Sequence, residues 1–589
     1  MKRLLLGDEA IALGAINAGL SGVYAYPGTP STEITEFIQT NATARQRNIH
    51  SRWCTNEKTA MEAALGMSFM GKRALVCMKH VGLNVCADPF VNSGMTGVNG
   101  GVVVLVADDP SMHSSQDEQD SRFYGKFAML PTFEPSSQQE AYDMMAAAFD
   151  YSEAQCLPVL MRVTTRMAHS RAVVQCADTP RQENALNHDA KAANWVLLPA
   201  NARRRNDIVT AQQTRLEADA DASPFNSYLS PAAVSAVSPA GPAAVPAVSP
   251  AAVPAASPAG PAAVPAASPA AVPAASPAGS PAVSPKPYPL GIIASGIAFN
   301  YVCEAFPGGC PFPVLKVSQY PLPKALVQRM AAESESIIVV EEGQPFIEEQ
   351  VRGVLPTTTT IKGRLTGELP RTGELTPDSV AKALGAAPYK ELQLDADTES
   401  VVAARPPQLC QGCGHRDVYT ALNQVLAEYD NPRVFGDIGC YTLGFLPPYK
   451  AIHSCVDMGA SITMAKGAAD AGQWPAVAII GDSTFTHSGM TGLLDAINEN
   501  ADITVIISDN LTTAMTGGQD SAGTNKFEAI CRGLGVEPEH LHVVVPLPKN
   551  MPEITDIMRR EINYHGVSVI IPRRECIQTF KRHAKAKKA

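Results

Sequence analysis

Two apolar runs in the C-terminal part of the chain each end in residues that bind hard cations. The first ends in Gly481-Asp482-Ser483, and the second, after a helix-length interval, ends in Asp509-Asn510. In an α/β sheet this pattern brings the Asp482 carboxylate and the Asn510 amide oxygen to neighbouring strand ends, and a carbonyl after Asn510 offers a third oxygen. Mg²⁺ prefers such a site, because diphosphate oxygens and water can complete its octahedron. The implied ligand is a diphosphate, although a lone Gly-Asp-Ser is more often an ordinary acidic turn.

Four cysteines in the same region form a second set of candidate ligands. Cys410 and Cys413 form a Cys-x-x-Cys on a tight turn, Cys440 follows a Gly-Asp-Ile-Gly sequence, and Cys576 follows the last predicted strand. A Cys-x-x-Cys alone is compatible with zinc, with redox chemistry or with no function. Because Cys440 and Cys576 each follow a predicted strand, all four thiols can converge on one end of the sheet.

The N-terminal region contains a candidate acid and a candidate anion site. Thr29 belongs to a turn that runs into a predicted helix, whose free amide groups can either bind a carboxylate or simply be capped. Glu57 begins an otherwise apolar helix. Such a glutamate is usually solvated or paired with the helix dipole, but at a buried interface it can keep a raised pKa and share a proton with a ring nitrogen. A polar loop at residues 110–122 follows a buried strand, where α/β folds bind ligands.

Composition limits the class of protein. The chain has 589 residues, which is too long for one core and predicts three or four domains. Its net charge of −10 argues against nucleic-acid binding. No apolar run reaches the roughly 18 residues of a membrane span, and acidic residues interrupt any signal-peptide core at the start. We therefore expect a cytoplasmic protein with reduced thiols, bound neither to membrane nor to nucleic acid.

Alternating strand and helix patterns predict an α/β fold with two doubly wound parallel-sheet domains, a smaller α/β domain and a linker. The linker is rich in Ala, Pro, Ser and Val, contains almost no charge and cannot form a core, so it should be an extended tether. The predicted boundaries are 1–195 for the first domain, 196–287 for the linker, 288–390 for the small domain and 391–589 for the last domain.

These motifs together resemble the 2-oxoacid:ferredoxin oxidoreductase family, in particular its indolepyruvate branch. The resemblance rests on Tyr26–Ser31, the Asn56-Glu57 helix, Met78–Asn84, the polar loop, the Gly-Asp-Ser and Asp-Asn pair and the cysteines, and it covers nearly the whole chain except the linker. It implies that the first domain binds the pyrimidine and the last domain the diphosphate of thiamine diphosphate. The small domain is similar to the transketolase C-terminal domain.

The resemblance also implies roles for individual residues. Glu57 corresponds to the glutamate that activates the aminopyrimidine, and Thr29 and Arg122 lie near the carboxylate of the substrate. The residues that bind the cofactor are Glu57, Gly481, Asp482, Ser483, Asn510 and Thr512, of which Asp482, Asn510 and the carbonyl of Thr512 hold Mg²⁺. The ligands of one [4Fe–4S] cluster are Cys410, Cys413, Cys440 and Cys576, with Cys455 as a competing fourth ligand.

The reaction implied is oxidative decarboxylation of a 2-oxoacid with coenzyme A as co-substrate and ferredoxin as electron acceptor. Pyruvate-specific relatives have Asn where this chain has Met515, and a flexible apolar side chain there favours an arylpyruvate such as indolepyruvate, unless Met515 is core packing. A small (beta) subunit is the expected partner in a hetero-oligomer. The family usually continues into a ferredoxin-like domain with two further cysteine runs, which this sequence lacks. A non-oxidative decarboxylase and an inactive assembly subunit remain alternatives.

Overall fold

The computed structural model describes residues 1–187, 192–231, 287–387, 401 and 407–586. The strands of the N-terminal domain are β1 (Lys2–Leu6), β2 (Gly22–Ala25), β3 (His50–Trp53), β4 (Ala74–Lys79), β5 (Val102–Asp108), β6 (Thr132–Phe133), β7 (Val159–Thr164) and β8 (Arg171–Gln175). Six of them form a parallel sheet in the order β6-β7-β5-β4-β2-β3, while β1 and β8 form a separate antiparallel pair. The central strands are apolar runs buried along their whole length, because helices cover both faces.

The helices of the N-terminal domain connect these strands. They are α1 (Gly7–Asn17), α2 (Thr32–Thr40), α3 (Ala42–Gln46), α4 (Glu57–Phe69), α5 (His80–Val85), α6 (Ala87–Thr96), α7 (Arg122–Phe127), α8 (Gln138–Gln155), α9 (Thr165–His169) and α10 (Pro199–Asp221). Helix α4 begins at a capping residue, Asn56, whose side chain accepts a hydrogen bond from the Thr59 amide. The cap fixes Glu57 as the first residue of the helix.

The linker prediction is wrong between residues 199 and 229. Helix α10 packs against α6, with Val209 and Leu216 buried on one face, and strand β9 (Ser227–Leu229) joins the sheet of the small domain. This stretch forms regular structure because it carries apolar residues at helical spacing, which the Ala/Pro repeats after it do not. The rest of the predicted tether, 232–286, lies outside the described residues.

The small domain has the predicted α/β architecture. Its further strands are β10 (Tyr288–Ser295), β11 (Val314–Val317), β12 (Gln319–Tyr320), β13 (Ser334–Val340) and β14 (Thr360–Lys362), and its helices are α11 (Ala298–Ala305), α12 (Lys324–Glu333), α13 (Phe346–Val354) and α14 (Pro377–Ala383). The sheet order is β14-β13-β10-β11-β9. Strand β12 instead pairs with β6, so the small domain extends the N-terminal sheet and is anchored to it.

The C-terminal domain contains a five-stranded parallel sheet. Its strands are β15 (Arg433–Phe435), β16 (Ala476–Gly481), β17 (Ile503–Ser508), β18 (Leu541–Val544) and β19 (Val567–Pro572), in the order β15-β16-β17-β19-β18. Its helices are α15 (Gly414–Leu426), α16 (Ala460–Asp470), α17 (Asp482–Thr484), α18 (Met490–Asn498), α19 (Phe527–Leu534), α20 (Met551–Ile562) and α21 (Ile577–Ala586), with a π-helical turn at Phe485–Gly489 between α17 and α18.

Strands β16 and β17 are neighbours, and Gly481 is directly opposite Ser508. The two apolar runs therefore end side by side, as their sequences predict. The predicted fold class, with two parallel-sheet domains and a smaller α/β domain, is confirmed. Within the part of the chain that the structure describes, no helix combines the length and the apolar character needed to span a bilayer.

Candidate functional site

The candidate site is a cavity of about 180 Å³ between the N-terminal and C-terminal domains. The carboxyl ends of strands from both parallel sheets face this cavity. The N-terminal domain contributes segments that follow β2, β4 and β5. The C-terminal domain contributes segments that follow β15, β16 and β17. Parallel α/β sheets bind ligands at this end. The lining residues include Thr29, Glu57, Gly481, Asp482, Ser483, Asn510 and Thr512.

The loops after β16 and β17 place two candidate oxygen ligands and the backbone of Thr512 together. The Thr512 amide donates to Asp482 Oδ2 at 3.1 Å and to Asn510 Oδ1 at 3.2 Å, so the two side-chain oxygens lie on either side of one N–H group. Leu511, between them, has a φ of 64°, a left-handed conformation that turns the chain back toward β16. The turn gathers a carboxylate, an amide oxygen and a backbone segment, which is the hard donor set that Mg²⁺ takes.

The Asp482 carboxylate is suited to a cation. Burial, followed by the nearby Asp509, raises the pKa of Asp482 to about 7. Among the residues that the structure describes, no lysine, arginine or histidine forms an ion pair with it. Gly481 is needed beside it, because a Cβ there would lie 2.7 Å from the Tyr441 ring. The site therefore has space for a metal ion, and it offers that ion a carboxylate without a positively charged partner among the described residues.

Glu57 faces the same cavity from the N-terminal domain. Its side chain is almost completely buried, and Oε2 lies 2.9 Å from Nε2 of His487 in the C-terminal domain. Asn56 reinforces this contact, since its Nδ2 donates to the carbonyl of His487 at 2.9 Å. A Cβ at Gly82 would lie 2.5 Å from Glu57 Oε1, so glycine is required for the carboxyl group to occupy this position. Glu57 is thus a buried acid at a domain interface.

His487 is a site residue that the sequence analysis missed. It lies in the π-helical turn after α17, and its ring also packs edge-on against Tyr26, with 4.8 Å between the ring centroids. Single π-helical turns inside helices occur mostly at functional sites. The available signal was its position four residues after Ser483, near the start of the helix that follows the metal-binding motif.

Lys79, at the end of β4, is a second residue that was missed. Lys79 lines the cavity, and its Nζ donates to the Ser114 carbonyl at 2.6 Å. No carboxylate of the described residues lies within ion-pair distance of it. Burial lowers the pKa of Lys79. Asp109 and Asp117 lie beyond ion-pair distance but oppose this lowering of the pKa of Lys79. Lys79 is therefore a buried cation hydrogen-bonded to Ser114, and Thr29 lines the same cavity.

The prediction that Arg122 lies near the substrate carboxylate is wrong. Arg122 is completely buried between the N-terminal and small domains, where it pairs with Asp120 at 2.5 Å and with Glu341 at 3.0 Å. Its Nη2 also donates to the Glu342 carbonyl at 2.9 Å. All its donors face protein groups because the polar loop folds back over β5 toward the small domain. Arg122 links two domains and does not line the cavity.

The four predicted cluster cysteines line a second cavity, of about 120 Å³, at the adjacent strand ends of the C-terminal domain: Cys410, Cys413, Cys440 and Cys576. Burial, followed by the proximity of the other three thiols, raises the pKa of Cys440 to about 12. Cys455 does not line this cavity; its thiol contacts the Asp437 carbonyl at 3.8 Å. The geometry brings together Cys576, and not Cys455, with the other three.

The two cavities share a wall. Cys440 and Asn510 line both of them. The amide of Cys576 donates to the carbonyl of Asn510 at 3.0 Å, so the thiol cavity is attached directly to the loop that carries the oxygen ligands. Met515 also lines the first cavity and is 60% exposed, so it is not a core residue.

Comparisons with known proteins match the two domains that line the first cavity to two different family models. Residues 13–227 match the family model for the pyruvate flavodoxin/ferredoxin oxidoreductase thiamine diphosphate-binding domain, and residues 437–571 match the C-terminal TPP-binding domain of thiamine pyrophosphate enzymes. The first match continues through α10 and ends at Ser227, where β9 begins, in keeping with the corrected boundary of the linker.

Two curated relatives align with almost the whole chain. The indolepyruvate oxidoreductase subunit IorA of Archaeoglobus fulgidus is 35% identical over 99% of this chain and 87% of its own length. Its counterpart from Methanothermobacter thermautotrophicus is 34% identical over 98% of this chain and 87% of its own length. A solved 2-oxoglutarate:ferredoxin oxidoreductase from Magnetococcus marinus is similar at 14% identity, with a TM-score of 0.47 over 65% of each chain.

Proposed function

Because the chain belongs to the family of indolepyruvate oxidoreductase subunit IorA and is an oxidoreductase of this type, we propose that it catalyses the oxidative decarboxylation of arylpyruvates, with indolepyruvate as substrate. The products are CO₂ and an aryl-acyl thioester of coenzyme A. Two electrons leave through a [4Fe–4S] cluster to ferredoxin. The observation that carries this proposal is the shared wall of the two cavities, where Cys440 and Asn510 connect an acid and metal-ligand site to four thiols.

The cavity between the domains is the proposed site of thiamine diphosphate and Mg²⁺. Asp482, Asn510 and the carbonyl of Thr512 hold the metal, and Gly481 and Ser483 line the diphosphate end. The cofactor, when bound, supplies the carbon nucleophile and the electron sink that decarboxylation of a 2-oxoacid requires. The protein supplies the position, the dry cavity and the electrostatics.

Glu57 is the proposed proton-transferring residue. Its carboxyl group is buried at the interface, and its Oε2 lies 2.9 Å from Nε2 of His487. In this assignment His487 is a positioning residue, because it fixes the side chain of Glu57 from the opposite domain. A carboxyl group exchanging a proton with a ring nitrogen is the general acid–base role expected in this family.

Lys79 and Thr29 are the proposed contacts of the substrate carboxylate. Both come from the N-terminal domain, and Lys79 provides a buried positive charge that forms no ion pair among the described residues, although Asp109 and Asp117 act on it from a greater distance. The carboxylate of a 2-oxoacid can accept a hydrogen bond from this charge. The exposed Met515 lies at the opposite domain's edge of the same cavity, where its flexible thioether can pack against an aromatic side chain.

Cys410, Cys413, Cys440 and Cys576 are the proposed ligands of the cluster. Four thiolates are the usual ligand set of a [4Fe–4S] cluster, which accepts electrons one at a time. All thirteen cysteines are free thiols in the structure. Free thiols are typical of proteins in a reducing compartment, and we propose that the activity is cytoplasmic. A small subunit and ferredoxin are the proposed partners, in a hetero-oligomer.

Product analysis tests the proposal against its alternatives. The chain and its small subunit are incubated without oxygen with indolepyruvate, coenzyme A and a viologen, and the products are separated by mass. Acyl-coenzyme A formed in proportion to reduced viologen supports the proposal. Release of CO₂ and an aldehyde, independent of viologen and coenzyme A, identifies a non-oxidative decarboxylase. Absence of thiamine diphosphate binding identifies an inactive assembly subunit.

A further inference from the structure

Three metal-ligating side chains meet in the N-terminal domain, outside both cavities. One ligand atom from each of Asp8, Glu33 and His169 lies within 4.8 Å of the other two. They come from three different helices, since Asp8 and Glu33 are in the first turns of α1 and α2 and His169 is the last residue of α9. The fold, and not local sequence, brings them together.

Asp8 is the observation that points to a ligand. It is completely buried, and neither of its carboxylate oxygens has a hydrogen-bond partner among the described residues. No basic side chain of the described residues forms an ion pair with it. Glu33 Oε2 is also buried without a partner. Two carboxylates side by side, one fully desolvated, are strongly unfavourable unless a proton or a cation lies between them.

His169 determines which kind of cation fits. Its Nε2 lies 3.6 Å from Glu33 Oε1, an ion-pair distance when the imidazole is protonated and a distance that suits two ligands of one ion when it is neutral. Its side chain is 35% exposed, so the group opens to solvent and has room for an entering ion and for water. Mg²⁺ and Ca²⁺ prefer oxygen ligands, whereas a neutral imidazole with two carboxylates suits Zn²⁺ and its first-row neighbours.

We propose that Asp8, Glu33 and His169 bind a divalent first-row metal ion such as Zn²⁺, with water as the remaining ligand. Metal–ligand bonds of about 2.0–2.2 Å place ligand atoms up to about 4 Å apart. The three ligand atoms lie within 4.8 Å of one another, so small side-chain rotations bring them to this separation. The proposal does not depend on the reaction assigned to the chain.

The ion has a structural consequence for the active site. Glu33 follows the Tyr26–Ser31 turn by two residues, and that turn carries Thr29 and the other cavity residues after β2. A metal ion that holds α1, α2 and α9 together fixes the start of α2 and therefore the turn before it. Occupancy of the site stabilises the N-terminal domain and leaves the chemistry at Glu57 unchanged.

Zinc retention tests the proposal. The protein with its cluster intact is saturated with Mg²⁺ and thiamine diphosphate, incubated with Zn²⁺, desalted and analysed for metal by mass spectrometry. The wild type should retain about one zinc ion per chain more than Asp8→Asn, and His169→Gln should lose at least about tenfold in affinity. His113→Gln is the matched control, because His113 also lies 3.5 Å from a glutamate, Glu374, but has no buried aspartate beside it. It should retain zinc as the wild type does.

Thermal unfolding gives an independent measurement. Zn²⁺ should raise the melting temperature of the wild type and of His113→Gln, and should leave that of Asp8→Asn unchanged. If Asp8→Asn does not fold, His169→Gln replaces it, since His169 is partly exposed. Equal zinc retention by the wild type and both site variants, or none by the wild type, would overturn the proposal. The Asp8 and Glu33 carboxyl groups would then share a proton only, in keeping with burial raising the pKa of Asp8.

Discussion

Glu57 is the residue on which the proposed chemistry depends most. Replacing it by Gln keeps the shape of the side chain and its fit against Gly82 but removes the proton-transferring group. We expect Glu57→Gln to reduce viologen reduction by about 10²–10⁴-fold while thiamine diphosphate binding changes by less than about threefold. Glu62→Gln is the control, because Glu62 is in the same helix but is exposed and pairs with Lys58. Full activity in Glu57→Gln would contradict the assignment.

Lys79 is expected to act on substrate binding. In Lys79→Met the stem is kept and the charge is lost, so the substrate carboxylate loses a charge-assisted contact worth about 1.5–3 kcal/mol. The KM for indolepyruvate should rise about 10–100-fold, with a smaller change in kcat and none in cofactor binding. Lys72→Met serves as the control, since Lys72 pairs with Glu183 and does not line the cavity. An unchanged KM would remove Lys79 from the site.

Single residues also show what sequence can and cannot predict. Asp482, Asn510 and Glu57 were predicted because each lies at the start or end of a regular element, where its surroundings follow from the element. Arg122 was misassigned because it lies in a polar loop, whose path depends on the small domain that it contacts. His487 was missed because only the approach of the two domains gives its ring a partner.

At the scale of elements, the strand ends of the C-terminal domain determine which cysteines lie together as the proposed cluster ligands. Cys576 follows β19 and its amide is bonded to Asn510, whereas the Cys455 thiol contacts Asp437 outside the thiol cavity. Cys576→Ser should therefore lose most of its bound iron and its absorbance near 400 nm, and Cys455→Ser should keep both. Iron loss in Cys455→Ser together with retention in Cys576→Ser would reverse the assignment of the fourth ligand.

Element boundaries were predicted less well than element types. The buried runs of β4, β5, β16 and β17 are recognisable because parallel strands covered on both faces are continuously apolar. Helix α10 was assigned to the linker because most of its residues are polar and only a narrow stripe packs on α6. A polar helix of this kind is identified by its tertiary contacts, which a single sequence does not show.

At the scale of the molecule, a buried ion network between the N-terminal and small domains makes stability depend on pH. Burial raises the pKa of Glu342 to about 7 from an ordinary value of 4.5. Between these values the folded protein binds more protons than the unfolded chain, so stability falls as the pH rises through this window. The loss across the whole window is about 3 kcal/mol for this carboxyl group.

Glu342→Gln removes the contribution of this carboxyl group to the pH dependence, while Glu341, whose pKa burial also raises to about 7, keeps its own. The amide oxygen can still accept the hydrogen bond from the Leu375 amide, but the group no longer ionises. The melting temperature of the wild type should fall more steeply between pH 4.5 and 7 than that of the variant. Glu335→Gln, at an exposed position of β13, the strand that precedes Glu342, should behave as the wild type. Parallel pH profiles for all three proteins would show that Glu342 ionises freely.

Two of the three domains form the cavity proposed for the cofactor, and the small domain contacts the N-terminal domain through Arg122 and β12. The central claim is that electrons pass from the cavity between the domains to the four thiols through the wall that they share. The most direct test is electron paramagnetic resonance of the protein and its small subunit, frozen after anaerobic mixing with indolepyruvate and coenzyme A. We predict the signal of a reduced [4Fe–4S] cluster in the wild type and its absence in Glu57→Gln. Consumption of indolepyruvate by the wild type with no reduction of a cluster would contradict the account.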